Sequence, residues 1–264
     1  MDPLSDNHGM PAHTRLIAIE TSTDVLSLAV GDPVCRATFS GPGSAQASAT
    51  LLPTLRSLLD QLNWSLTDLD AIVFARGPGA FTGVRTACAI AQGLAYGVRT
   101  PAHPGGLPVL PVDTLLALAE AARELHVQRS RGRWPAAIVA LLDARMDEVY
   151  VAIYRCGPQG LDPAALHPPR LCAAAALSDW LPQALPPDMA VDNVLLAGNA
   201  FAAYPDALPA WPGERLHALP TAQALLRLAP GLLAAGAAVA ARDAWPLYVR
   251  DKVARTTAER EGSA

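Results

Sequence analysis

Ten consecutive residues, 76–85, constrain the fold of this chain more than any other segment. They read Arg-Gly-Pro-Gly-Ala-Phe-Thr-Gly-Val-Arg, and they follow an apolar run at 71–75 that is typical of a buried strand. The residues after them, 86–98, are rich in alanine and predict a helix. A strand that turns on glycines into a helix directs several free backbone N–H groups towards one point, so this loop is a candidate phosphate site.

Two common nucleotide-binding motifs are excluded at this loop. A Walker A loop requires Lys-Ser/Thr after its last glycine, whereas Gly83 is followed by Val84 and Arg85. A dinucleotide fingerprint requires two residues between its second and third glycines and an acid about 20 residues further on. Here three residues separate Gly79 from Gly83, and residues 100–104 contain no acid. Phosphate binding through the backbone alone stays open as an alternative.

The predicted helix has a stripe of minimal side chains on one face. Every fourth residue is small, which aligns these positions along the helix. Such a stripe allows a second helix to approach closely, either within the same domain or from a partner protein. The spacing alone leaves both alternatives open; the neighbour of the stripe would be a helix predicted at 44–62, which carries Leu55 and Leu59. The stripe consists of Gly83, Ala87, Ala91 and Ala95.

Composition limits the classes of protein to which the chain can belong. With 264 residues, 51% of them hydrophobic and 17% charged, it can bury the cores of two domains. A net charge of −4 gives no electrostatic reason to expect autonomous binding to nucleic acid. The arginine clusters at 123–133 and 250–255 are typical of solvated faces, with direct contact to RNA as the alternative.

The spacing of cysteines and histidines argues against a disulfide framework or a metal centre. None of the six histidines forms a His-x-x-x-His pair, and no Cys-x-x-Cys is present. Widely spaced cysteines are typical of reduced thiols in a cytosolic protein. We therefore predict no metal site and no cofactor. The four cysteines are Cys35, Cys88, Cys156 and Cys172.

The sequence predicts a cytoplasmic protein without a membrane span. Residues 1–13 are polar, lack the basic-then-apolar pattern of a signal peptide, and are expected to be disordered. The longest apolar stretch, 222–241, is interrupted by Gln223, Arg227 and Pro230, so it is not a transmembrane helix.

Hydrophobic periodicity predicts two α/β units of related plan. The first consists of a strand meander at 15–39, a helix at 44–62 that Pro53 should kink or restart, a strand at 71–76 and a helix at 82–98. The second contains a strand at 109–110, a helix at 113–125, strands at 136–142 and 148–154, a helix at 178–184, a strand at 194–199 and a helix at 221–241. We place the first domain at 14–107 plus 222–245, the second at 108–221 and a C-terminal tail at 246–264.

Four segments of the chain resemble the TsaB (YeaZ) family, which is related to the TsaD and Kae proteins. They lie at 17–23, 76–85, 143–150 and 246–250, in the family's order, and span nearly the whole chain. Glu20 stands where many relatives have aspartate, and residues 103–106 resemble a small insertion. The residues that match the family motifs are Gly77, Pro78, Gly79, Phe81, Thr82, Gly83, Arg85, Asp143 and Arg145.

The resemblance implies a two-lobed α/β fold of the actin-like, sugar-kinase-like (ASKHA) type, in which each lobe is a mixed sheet with packed helices. It also implies a non-catalytic scaffold and activator that binds the transferase TsaD, together with the ATPase TsaE. That complex threonylcarbamoylates the adenosine beside the anticodon in tRNAs that read codons beginning with A. In the family, the first-lobe helices meet those of the partner as a helical bundle, so we expect the small-residue stripe, together with Leu55 and Leu59, to form a partner interface. Contact with tRNA would be at most indirect, and homodimerisation of the free protein stays open.

The same resemblance identifies the segments that would hold a nucleotide in an active relative. Phosphates would lie between the turns at 20–23 and 143–146, and adenosine beside 197–200. However, the second turn has bulky side chains, and the third segment has a single glycine. We therefore expect no enzymatic activity. The alternatives are an active ATPase or small-molecule kinase of this fold, or a peptidase that acts on the TsaD partner, although no Gly-x-Ser-x-Gly elbow is present.

Five residues keep more than one interpretation. Glu20 is either a strand-end cap or the remnant of a metal-coordinating acid. Arg85 pairs either within its own domain or with a partner. Asp143 and Arg145 either brace a turn against the other lobe or perform acid–base chemistry. Phe81 fills either the core or an interface.

Overall fold

The structure, a computed structural model, describes residues 14–250 apart from 33–35, 44–46, 102, 131 and 208–210. The predicted disordered tail at 1–13 and the end of the predicted C-terminal tail, 251–264, lie outside the described residues. The same holds for Cys35, His8 and His13, and for the predicted start of a helix at 44.

The first half of the chain folds in the order predicted from its periodicity. A meander of three strands is followed by two alternations of helix and strand and by a long third helix. These elements are β1 (Leu16–Glu20), β2 (Val25–Gly31), β3 (Arg36–Pro42), α1 (Ala47–Gln61), β4 (Ala71–Gly77), α2 (Phe81–Gly97), β5 (Val109–Asp113) and α3 (Thr114–Arg129).

The second half contains more elements than the sequence predicted. The two-residue strand β8, the strands β9 and β11 and the four-residue helix α5 were not predicted. The elements are β6 (Ala137–Asp143), β7 (Glu148–Gly157), β8 (Gly160–Leu161), β9 (His167–Ala173), α4 (Leu177–Ala184), β10 (Val194–Gly198), α5 (Ala200–Ala203), β11 (Arg215–His217) and α6 (Ala222–Ala234).

The two sheets have the same topology. The first has the order β3-β2-β1-β4-β5, with β1 antiparallel to β2 and parallel to β4. In the second, β6 takes the place of β1: it is antiparallel to β7 and parallel to β10, while β9 pairs with β7 and β11 with β10. This repeat confirms the predicted two-lobed actin-like fold, in which each lobe is a mixed sheet with packed helices.

The lobes are stacked so that helices cover both faces of each sheet. Alternate residues of β1 point to opposite sides: Ile17 and Ile19 belong to an outer core with α1 and α2, whereas Leu16 and Ala18 belong to an inner core. The inner core contains α3 and α6 and continues onto the second sheet. The far side of the second sheet is covered by α4 and the start of α5. Helices α3 and α6 therefore lie between the lobes.

A buried ion-pair cluster joins these two central helices. Glu120 of α3 is 3% exposed, and its carboxylate accepts hydrogen bonds from Arg123 of the same helix and from Arg227 of α6, the latter at 2.7 Å. A buried carboxylate requires such partners, because an unpaired one would cost several kcal/mol. Among the described residues, no helix combines the length and hydropathy that a membrane span requires.

The small-residue stripe of α2 faces the sheet and not the solvent. Ala87, Ala91 and Ala95 are fully buried in the outer core, in the same cluster as Leu55 and Leu59. The expectation that these five residues form an exposed partner surface is therefore wrong. The physical reason is local packing: small side chains allow α2 to lie close to β4, whose large residues Ile72 and Phe74 fill the space between them.

Two differences from the predicted boundaries affect how the chain is divided into lobes. Strand β5 pairs with β4, which places Val109–Asp113 in the first sheet and moves the predicted domain boundary at 107/108. Helix α6 ends at Ala234 and not at 241, because Gly236 adopts a left-handed backbone with φ 75°. Val239 then pairs with Val109 of β5. Pro53, expected to kink or restart α1, lies inside a helix that is assigned without a break.

Because Ala91 is fully buried, Ala91→Arg should destabilise the first lobe. We expect the free energy of unfolding to fall by about 3 kcal/mol or more, since the site would have to hold extra volume and an unpaired charge. Chemical denaturation measures this change. The matched control is Gly93→Ala on the exposed face of α2, where an added Cβ meets nothing within 4 Å. That control should keep or raise stability by up to about 1 kcal/mol. Unfolding of Ala91→Arg at the wild-type denaturant concentration would contradict the burial of the stripe.

Candidate functional site

A cleft of about 400 Å³ lies between the two lobes. The first lobe contributes the β1–β2 turn and the start of α2, and the second contributes the β6–β7 turn and Asn199, which precedes α5. The residues that follow α6 complete the wall. Five of the residues predicted from family motifs line the cleft: Pro78, Gly79, Phe81, Asp143 and Arg145.

The glycines of the 76–85 segment permit close contact between the start of α2 and the β1–β2 turn. A Cβ added to Gly83 would lie 1.8 Å from the carbonyl oxygen of Thr21, and one added to Gly79 would lie 2.6 Å from that of Ser22. Two hydrogen bonds hold the contact: Ala80 N donates to the Ser22 carbonyl at 2.7 Å, and Thr21 Oγ1 donates to the Gly83 carbonyl at 2.7 Å. The glycine spacing that suggested a phosphate loop is thus explained by packing within the chain.

Glu20 is fully buried at the end of β1 and caps the turn that follows. Its Oε1 accepts hydrogen bonds from the backbone N and the Oγ of Ser22, both at 2.5 Å. Its Oε2 is buried without a hydrogen-bond partner. Burial raises the pKa of Glu20 to about 7, although the hydrogen bonds from Ser22 favour the ionised form. This geometry agrees with the strand-end cap of the two interpretations, and Glu20 is not among the residues that line the cleft.

The β6–β7 turn has an unusual backbone. Arg145, Met146 and Asp147 have φ angles of 63°, 57° and 59°, a left-handed run that non-glycine residues rarely adopt. The Asp143 carboxylate holds the turn in place, because its Oδ1 accepts hydrogen bonds from Arg145 N and from the Tyr204 hydroxyl, both at 2.8 Å. Burial, together with this bond to Asp143, raises the pKa of Tyr204 to about 12.

Arg145 reaches across the cleft to the other lobe. One of its guanidinium nitrogens lies 3.3 Å from Oδ2 of Asp24, the residue before β2, and another lies 3.3 Å from Oδ2 of Asp143. The side chains of Arg145 and Asp24 are 73% and 85% exposed, so the pair contributes little to stability. Its geometry agrees with the interpretation that Asp143 and Arg145 brace the turn against the first lobe.

Residues 244–250, which we call the C-terminal strap, pass along α2 and through the mouth of the cleft. The Tyr248 ring lies 5.5 Å from that of Phe81, and its hydroxyl accepts a hydrogen bond from Nε of Arg85 at 2.8 Å. The Arg85 guanidinium stacks 3.5 Å from the Phe81 ring centroid. Arg85 therefore pairs with residues of its own chain, and Phe81 packs on the strap at the edge of the cleft.

Several residues of this cleft were not predicted from the sequence. Tyr248 and Arg250 belong to a segment that resembles the family, but the sequence predicts only a tail there. An extended peptide has no hydrophobic periodicity that would indicate which residues it packs against. Asp24 follows the first predicted turn and could have been found there. Asn199 was noted only as part of the adenosine segment, whereas its Oδ1 accepts a hydrogen bond from Asp143 N at 2.8 Å. In the described part of the chain, no three His, Cys, Asp or Glu side chains are grouped as a metal site would require.

Comparison with known proteins gives concordant matches. The family model described as "TsaD: tRNA N6-adenosine threonylcarbamoyltransferase" matches residues 42–256. The tRNA threonylcarbamoyladenosine biosynthesis protein TsaB of Escherichia coli (strain K12) is 33% identical over 253 residues, which cover 91% of this chain and 96% of that protein.

Two solved structures from Pseudomonas aeruginosa are also similar. YeaZ superposes with a TM-score of 0.72 at 32% identity and covers 89% of this chain and 99% of its own. A second structure, described as an uncharacterized protein with similarity to peptidase YeaZ, superposes with a TM-score of 0.74 at 32% identity. It covers 90% of this chain and 100% of its own.

Replacing Glu20 by glutamine should flatten the pH dependence of stability. A carboxyl whose pKa rises from 4.5 to about 7 on folding binds its proton more tightly in the folded state. Stability should therefore fall as pH rises from 4.5 to 7, by at most about 3 kcal/mol, and then level off. Urea denaturation between pH 5 and pH 8 measures this, with Glu124→Gln on α3 as the control. A Glu20→Gln profile parallel to that of the wild type would contradict the burial of an ionisable carboxyl.

Proposed function

The chain belongs to the TsaB (YeaZ) family, as the four sequence segments predicted, and we propose that it is a non-catalytic subunit in tRNA threonylcarbamoyladenosine biosynthesis. In this proposal it binds a TsaD-like subunit that performs the transfer, and a TsaE-like ATPase joins the pair. The complex works in the cytoplasm, and this chain contacts tRNA at most indirectly. Family membership supports the pathway, and the cleft between the lobes supports the non-catalytic role.

One observation carries the non-catalytic role: the chain's own residues span and line the space between the two turns. In an active relative of this fold, phosphates would lie there. Here Arg145 spans the gap to Asp24, and the strap residues Leu247, Tyr248 and Val249 line the remaining space. The backbone of the second turn is fixed by Asp143 in a conformation that presents the side chains of Arg145 and Met146. Close approach of a phosphate to that backbone is therefore hindered.

The alternative activities lack comparable support in the cleft. A kinase or ATPase would need an acid facing the phosphates. Glu20 is fully buried and does not line the cleft, and the Asp143 carboxylate is engaged with Tyr204 and Arg145. A peptidase would need a nucleophile and a base. Ser22 is 2% exposed with its hydroxyl bonded to Glu20, and none of the histidines that the structure describes lines the cleft.

The outward face of α2 is the surface that we propose for the partner. Ala89, Gly93 and Gly97 are exposed and spaced four residues apart. A Cβ added to either glycine would meet nothing within 4 Å, so the fold of this chain does not require glycine there. Glycine inside an exposed helix costs about 1 kcal/mol relative to alanine. A helix of a TsaD-like partner that packs closely on this face accounts for the missing side chains.

Gly93→Arg should therefore weaken binding to the TsaD-like subunit without unfolding this chain. Added volume and an unpaired charge at a close helix contact should lower the affinity about tenfold or more. Thermal unfolding of the variant alone should match or exceed that of the wild type, because arginine favours the helix. Titration calorimetry with the partner measures the affinity, and Ser178→Arg on α4 is the control. Wild-type affinity of both Gly93→Arg and Ala89→Arg would remove this face from the interface.

The proposal also predicts that the modification reaction requires this chain. With threonylcarbamoyl-adenylate donor, tRNA and the TsaD-like and TsaE-like proteins supplied, modification should fail until this chain is added. The reason is that an activating subunit acts by binding the catalyst and not by supplying catalytic groups. Mass spectrometry of tRNA nucleosides measures the product. Full modification by the other components alone, at the same concentrations, would contradict an activating role.

A further inference from the structure

We propose that the C-terminal strap is a clamp that holds the two lobes at a fixed angle. This inference concerns the conformation of the chain and does not depend on the proposed function. The strap follows α6 and a short helical turn at 241–243. It makes specific contacts with both lobes, which an unattached tail would not require.

The upstream end of the strap is fixed to α2. The carbonyl oxygen of Ala244 accepts two hydrogen bonds from side chains of this helix, one from the Cys88 thiol at 3.2 Å and one from Nε2 of Gln92 at 2.9 Å. Ala244 is itself fully buried in the outer core. The strap is therefore anchored to the first lobe before it enters the cleft.

Its middle is fixed to the end of β4. Leu247 N donates a hydrogen bond to the carbonyl of Arg76 at 2.7 Å. The Leu247 carbonyl lies so close to Gly77 that an added Cβ would be 2.6 Å from it, and Gly77 has a left-handed φ of 112°. Glycine at position 77 thus permits both the backbone turn and the passage of the strap. The bond between Arg85 and Tyr248 adds a third contact with the first lobe.

Arg250 fixes the downstream end to the second lobe. Its Nη2 donates hydrogen bonds to the Ala144 carbonyl at 2.9 Å and to Oε2 of Glu148 at 2.5 Å, and its Nη1 lies 3.3 Å from the sulfur of Met146. The Arg250 side chain is 13% exposed, so the ion pair with Glu148 is shielded from solvent. Charge-assisted hydrogen bonds in such an environment are stronger than exposed ones. These contacts attach the strap to the left-handed β6–β7 turn, which lines the cleft.

The two anchors join lobes that otherwise meet through the inner core of α3 and α6 and the exposed pair between Arg145 and Asp24. None of the residues that line the cleft belongs to α3 or α6, so the packing of these helices leaves the mouth of the cleft to open or close. Contacts at the mouth restrict that motion most effectively, since they act farthest from the central helices. The strap supplies them, and Arg250 is its second-lobe anchor.

Arg250→Ala tests the clamp because it removes only the contacts between the strap and the second lobe. Spin labels at Ser57→Cys on α1 and Ser178→Cys on α4, both exposed, report the distance between the lobes by pulsed electron resonance. The labelled chain carries serine at positions 35 and 156, while Cys88 and Cys172 are buried and stay. Arg250→Ala should broaden the distance distribution. Hydrogen exchange of the Leu247 backbone amide should become about tenfold faster or more. This amide exchanges when the strap opens, and without Arg250 that opening no longer has to break the contacts with the second lobe.

Two further variants make the result decisive. Glu148→Gln weakens the same anchor from the second lobe and should broaden the distribution in the same direction, even if Arg250→Ala does not fold. Arg242→Ala is the matched control, since Arg242 precedes the strap, is 87% exposed and forms an ion pair with the adjacent Asp243. It should leave both readouts at wild-type values. An unchanged distribution in folded Arg250→Ala or Glu148→Gln would show that α3 and α6 alone set the angle and would overturn the proposal. Equal broadening by Arg242→Ala would overturn it as well.

Discussion

The start of α2 lies so close to the β1–β2 turn that the positions in contact, 79 and 83, have no room for a side chain. An added Cβ at Gly83 would stand 1.8 Å from the Thr21 carbonyl, and Ala80 and Thr21 complete the contact with hydrogen bonds in opposite directions. The direction of α2 across the first sheet follows from this junction. So does the position of Phe81 and Arg85 at the cleft edge, where they meet the strap. A residue with a Cβ at Gly83 would have to move the helix away from the turn.

Helix α2 has two faces that carry small side chains, and they show what the sequence can and cannot predict. Periodicity identified the helix correctly, and the four-residue spacing of small residues was real. However, Ala91 and Gly93 both belong to such series, one facing the sheet and one facing solvent. Because all these side chains are small, the usual contrast between an apolar and a polar face is absent. Only the position of α2 against Ile72 and Phe74 decides which face is buried.

The elements missed in the second lobe have similar physical causes. Strand β9 contains Pro168 and Pro169, which argue against a strand, yet β9 pairs with β7 alone and lies at an edge, where proline is tolerated. The alanine-rich run at 222–241 predicted one continuous helix, but Gly236 ends the helix and Val239 pairs with Val109 of β5. The strap has no periodicity, since its contacts alternate between backbone and side chains of both lobes. The repeat of two related α/β units, by contrast, was predicted from patterns that are local in sequence, whereas the strand order within each sheet was not.

The proposed non-catalytic role depends on the chain's own residues, which line and span the cleft where an active relative of this fold would hold phosphates. Arg145 spans it to Asp24, Tyr248 and Arg250 line it, and the buried Glu20 caps its own turn. Isothermal titration of the purified chain with Mg²⁺–ATP tests this claim most directly. The account predicts no saturable heat at ATP concentrations up to the millimolar range. A stoichiometric site with a micromolar dissociation constant, abolished by a substitution in the cleft, would contradict it.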